Sequence, residues 1–120
     1  MKIAITTNSK NMDGDVDLHF GRAPFILIYD LDDDSKEFIN NEQNLNQASG
    51  VGIQTAQNIS KTGAEVVLAG NCGPKAFKTL TAADIKVVIG VSGKIKDAIE
   101  KFKKGQFSYV TEANVEGHWS

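Results

Sequence analysis

The chain has 120 residues, 41% of them hydrophobic and 23% charged, with a net charge of -2 at pH 7. That profile fits one globular domain with a modest core and argues against the basic face of a nucleic-acid binder. The single cysteine cannot form an internal disulfide and points to a reducing compartment. Residues 1–6 turn polar too soon for a signal peptide, and no apolar run reaches the roughly 18 residues of a membrane helix, so the expectation is a cytoplasmic protein that binds neither membrane nor nucleic acid.

Residues 2–6 are a short apolar run and predict a buried strand. Residues 7–21 are rich in Asn, Asp and Gly and predict a long loop, a length often tied to function. Residues 25–31 are apolar enough for a strand covered on both faces. Asp32-Asp33-Asp34-Ser35 predicts a turn into an edge strand at 36–40, which could pair with a copy of itself, and a second polar loop follows over 41–50. Residues 52–62 then place Ile53, Ala56 and Ile59 on one helical face, with Gly63 to close the helix. Residues 65–69 predict a strand, and Pro74 opens a helix carrying Ala76, Phe77, Leu80 and Ala83 on one face. Residues 86–89 predict the last strand. Ser92 is placed to cap a third helix with Ile95, Ala98, Ile99 and Phe102 inward and Gly105 at its end. The order βββαβαβα predicts an α/β fold: a mixed five-stranded sheet flanked by three helices, resembling the ribonuclease H-like arrangement. Residues 1–105 are read as one domain and 106–120 as a flexible tail, with His118-Trp119 either disordered or a lid.

In open α/β sheets ligands bind beyond the carboxyl ends of the strands. That edge should gather His19-Phe20-Gly21-Arg22, Gly70-Asn71-Cys72-Gly73 and Gly90-Val91-Ser92-Gly93. Helix N-termini near Pro74 and Gly93 would aim N–H groups there, which suits an anion. Cys72 is either an inert buried thiol or an exposed one activated by the helix end. His19 is either a loop histidine or a ligand, and Arg22 either a surface ion pair or an anion clamp, with Gly21 letting the anion approach. Gly50-Val51-Gly52 is a lone Gly-x-Gly and reads as a turn, and Asp32 to Asp34 as a solvated hairpin. Residues 1–7 hold none of the carboxylates a two-metal nuclease needs, there is no P-loop, and the histidines and cysteine lack metal-finger spacing.

Met1-Lys2-Ile3-Ala4-Ile5, His19-Phe20-Gly21-Arg22-Ala23-Pro24-Phe25, Asn44, Gly50-Val51-Gly52 and Gly73-Pro74-Lys75-Ala76-Phe77 together resemble the dinitrogenase iron–molybdenum cofactor biosynthesis family. The resemblance runs nearly continuously through Gln106. It implies the ribonuclease H-like fold and a link to iron–molybdenum cofactor or its precursors; a related group binds a molybdenum–copper–sulfide cluster. Cys72 is not a general feature of the motif, and the tail lacks the histidine-rich run of many stand-alone members.

The expectation is therefore a non-catalytic carrier of an anionic metal–sulfur cluster, iron–molybdenum–sulfur or molybdenum–copper–sulfur, that meets cluster-assembly or acceptor proteins. The expected binding residues are His19, Phe20, Gly21, Arg22, Asn71, Cys72, Gly73 and Gly93, with His19 and Cys72 as metal ligands and Phe25 supporting the pocket. The alternatives are an enzyme or sensor for a small phosphorylated or carboxylated molecule, and a regulatory scaffold module.

Overall fold

The central strand of the sheet carries the apolar run Ile3-Ala4-Ile5. In the computed structural model, which describes residues 1–42 and 50–111, β1 (Lys2–Thr7) has Ile3, Ala4 and Ile5 all fully buried, so both of its faces are covered. β2 (Phe25–Asp30) lies antiparallel to it, with Ile5 opposite Leu27. β3 (Lys36–Asn40) extends that side as the edge. On the other side β4 (Ala64–Leu68) runs parallel to β1, and β5 (Lys86–Val88) parallel to β4. The order is β3-β2-β1-β4-β5, the mixed ribonuclease H-like sheet expected from the chain order.

Strand alternation sends side chains to two separate cores. Ala4, Ile26, Ile28 and Val67 meet α1 (Val51–Ser60) and α2 (Pro74–Ala82) on one face. Ile3, Ile5, Leu27 and Leu68 meet α3 (Ile95–Lys103) on the other. No helix among the described residues is long and apolar enough to cross a membrane.

Three expectations change in detail. α1 buries Val51, Gly52, Thr55, Ala56 and Ile59, and Ile53 is only half-buried, because the helix begins one residue early and also packs against residues 20–22. Ala83 lies beyond α2 and is exposed. Ser92 does not cap α3; the helix begins at Ile95, whose N–H donates to the Gly14 carbonyl at 3.1 Å, so loop 8–17 takes the capping role. Beyond α3, Phe107 packs on the α3-side core and the Val110 N–H donates to the Val87 carbonyl at 2.9 Å. His118 and Trp119 lie outside the described residues.

Candidate functional site

The carboxyl ends of β1, β4 and β5 share one edge with the start of β2, since Thr7 faces Phe25 and Leu68 lies between Ile5 and Val88. The long loop after β1 returns across this edge. Its Leu18 carbonyl accepts the Asn71 N–H at 3.0 Å, and His19 pairs with Asn71 as a short parallel bridge. Gly70 permits the crossing, because a Cβ there would sit 2.8 Å from the Leu18 Cα. The structure thus brings together the two segments that the sequence singled out, 19–22 and 70–73.

Phe20–Arg22 is a single 3₁₀ turn. Phe20 is fully buried in the α1/α2-side core and acts as the turn's anchor. With that ring inward, His19 and Arg22 stand on the exposed side. The His19 N–H donates to Asp17 Oδ1 at 2.9 Å and the Arg22 N–H to the His19 carbonyl at 3.0 Å, which fixes the backbone between them.

Gly21 has a packing role. It is buried, and a Cβ built on it would lie 2.7 Å from Gly52 N and 2.8 Å from Val51 Cγ2. The missing side chain lets the turn press onto the first turn of α1. Gly52, from the weak Gly-x-Gly string, is the other half of this contact.

Cys72 also departs from its exposed reading. Its side chain is fully buried, in the same core as Phe20 and Ala76, and its Sγ lies 3.7 Å from the Gly73 carbonyl. Burial pushes the thiol up to about 12, so it is neutral at physiological pH. The helix end near it does not activate it, because loss of solvent outweighs the dipole. Asn71 is half-buried, and Gly73 is the buried N-cap of α2, with Pro74 in the first turn.

Gly93 is exposed, and its backbone joins the loop after β1. Its carbonyl accepts the Val16 N–H at 2.8 Å, and Asp15 and Lys94 form an antiparallel bridge beside it. Phe25 is half-buried on the α3 face with the Lys10 ammonium 5.3 Å from its ring centroid.

A feature the sequence did not reveal is a buried polar pair. Asn41 and Thr55 are both fully buried, and Asn41 Nδ2 donates to the Ala23 carbonyl at 2.8 Å and to Thr55 Oγ1 at 3.1 Å. The available signal was Thr55 itself, a polar residue on the stripe of Val51 and Ile59.

The edge therefore offers an exposed guanidinium, an exposed imidazole and the starts of α1 and α2, neither of which has a side-chain cap bond among the described residues. Such donors hold an anion. Among the described residues no group of three or more His, Cys, Asp or Glu side chains comes together to hold a metal ion.

A mixed five-stranded sheet in this order with three helices defines a small α/β domain. The family profile described as dinitrogenase iron-molybdenum cofactor matches residues 1–105, and the chain belongs to that family. The orange protein from Desulfovibrio gigas, solved in its apo form, is 36% identical, with 95% of this chain and 96% of that one covered and a TM-score of 0.92. A Thermotoga protein solved by NMR is 32% identical, covers 97% and 98%, and has a TM-score of 0.82. An uncharacterized protein of Methanocaldococcus jannaschii is 28% identical over 109 residues, 88% of each chain.

Proposed function

We propose that this chain binds an already assembled, anionic metal–sulfur cluster as cargo and passes it to a cluster-assembly or acceptor protein in the cytoplasm. The observation that carries this reading is the 3₁₀ turn, which presents His19 and Arg22 to solvent at the edge where α1 and α2 begin. Family membership and the likeness to the orange protein support the choice of cargo over other anions. The donors fit a preassembled anion. Arg22 and backbone N–H groups balance its charge, and His19 is the exposed side chain able to reach a metal in it. Cys72 forms part of the wall beneath; ligation by its sulfur would need both exposure and loss of a proton held up to about 12.

The test is anaerobic titration of untagged protein with tetrathiomolybdate, alone and with Cu(I) or Fe(II). The readouts are the visible charge-transfer spectrum and elemental analysis. The expected result is stoichiometric molybdenum uptake. Arg22→Ala and His19→Ala each weaken it about tenfold, equivalent to ~1.4 kcal/mol. Cys72→Ser retains binding if it folds. Failure of the wild type to take up any of these species would sink the reading, and loss of binding in a folded Cys72→Ser would make the thiol a ligand.

A further inference from the structure

We infer that Asn41 is a positioning residue for this site: its buried amide sets where the turn bearing His19 and Arg22 stands relative to α1. The inference rests on the anion-site reading above. Asn41 joins three segments. Its own N–H donates to the Pro24 carbonyl at 2.8 Å, and its Nδ2 donates to the Ala23 carbonyl at 2.8 Å and to Thr55 Oγ1 at 3.1 Å. Ala23 follows Arg22 directly, so fixing its carbonyl fixes the backbone that carries the guanidinium. Thr55 lies one helical turn beyond Val51, on the same face of α1. The amide therefore ties the end of the 3₁₀ turn to the same helix that Gly21 presses against.

Packing alone does not call for an amide at this place. Asn41 is fully buried, and an apolar side chain of similar size would fill the space. What the amide adds is direction: two N–H bonds aimed at two elements hold both at set distances. A buried carbonyl deprived of its donor moves or opens to water.

Asn41→Ala and Thr55→Val in the full chain test this, with tetrathiomolybdate plus Cu(I) as probe. The expected result for Asn41→Ala is a folded protein by far-ultraviolet circular dichroism, with about tenfold weaker binding. The visible circular dichroism of the bound cargo should also change, since it reports the asymmetry of the surrounding turn. Thr55→Val should shift both readouts in the same direction by less. Wild-type affinity and wild-type visible dichroism in a folded Asn41→Ala overturn the inference; if that variant does not fold, the same outcome in Thr55→Val does so. Should the wild type bind no probe, the proposed function fails and the positioning role is judged on ligand-free protein. Amide exchange at Gly21 and Arg22 about tenfold faster in Thr55→Val, with strand amides unchanged, supports it. Unchanged exchange at those two amides overturns it.

Discussion

On the α1 side of the carboxyl edge, the 3₁₀ turn is held by a buried ring, a glycine contact and a buried amide. On the α3 side, loop 8–17 is held by backbone hydrogen bonds and by exposed pairs between Lys94 and Asp15 and between Lys96 and Asp13. The first arrangement uses neutral groups to fix position, with the side chains of His19 and Arg22 on the exposed side of the turn. The second uses charge internally: the lysines near the start of α3 meet carboxylates of the loop, and the first helical N–H meets the Gly14 carbonyl. Two helix starts that look alike in sequence thus differ in what they can offer a ligand. A helix end can serve an external anion only where the chain has not already folded over it.

Substituting the glycines tests this comparison most severely. Gly21→Ala should cost ~2–3 kcal/mol, because the new Cβ meets Gly52 N at 2.7 Å and Gly52 Cα at 2.9 Å, and backbone cannot turn aside. Gly93→Ala should cost only ~1 kcal/mol, the strain of an alanine at φ +82° in otherwise open space. Urea unfolding of both variants gives the order. A larger loss at Gly93 would mean that the α3 side holds the tighter joint.

Next in size is Cys72→Ser, which puts a hydroxyl where the thiol is fully buried and should cost about 2 kcal/mol. Iodoacetamide should label the wild-type thiol slowly when folded and quickly in urea. The thiol's ordinary value is 9.0, and burial raises it to about 12. Its contribution is therefore fully present below pH 9 and is lost as pH rises toward 12, when the unfolded chain releases a proton that the folded chain keeps. The serine variant should lack that part of the alkaline destabilisation. Identical alkaline profiles would show that Cys72 is not what titrates.

The fold was legible because its strands are marked by apolar runs with turn residues between them. Residues 36–40 and the start of α2 at Pro74 match expectation, since a charged turn and a proline leave little choice. The meeting of His19 with Asn71 was legible from the edge rule alone. The state of Cys72 was not, because the same string of glycines serves an exposed loop or a close crossing of two chains. Only the Leu18 backbone lying over Gly70 decides between them. The cap of α3 was missed for a related reason: its partner is Gly14, distant in sequence, and a local pattern favours the nearby Ser92. Asn41 carries no local signature, since its partners sit at 23 and 55.

The smallest effects separate charge that sits on packed structure from charge that only decorates it. The Tyr29 hydroxyl donates to Asp34 Oδ1 at 2.5 Å, and Lys103 Nζ lies 3.4 Å from the same oxygen, tying the last turn of α3 to the β2–β3 turn. The Tyr29 bond, then Lys103, hold the Asp34 carboxyl below its ordinary 3.8. The stabilisation is therefore present above pH 3.8 and lost as pH falls through the lower folded value. Tyr29→Phe should lower the urea midpoint at pH 7 by less than Cys72→Ser does, and its deficit should shrink below pH 3.8. Smaller still is the double replacement of Lys94 and Lys96 by Ala. Their carboxylate partners are 51% and 83% exposed, so water and salt screen both pairs. At about 150 mM salt the melt should match the wild type, since exposed pairs of this kind contribute little. The Val16–Gly93 and Ile95–Gly14 backbone bonds, at 2.8 and 3.1 Å, would then be what keeps the loop over α3. A large loss in the double variant would break the comparison, because exposed charge would then be fastening this side as firmly as buried neutral contacts fasten the other.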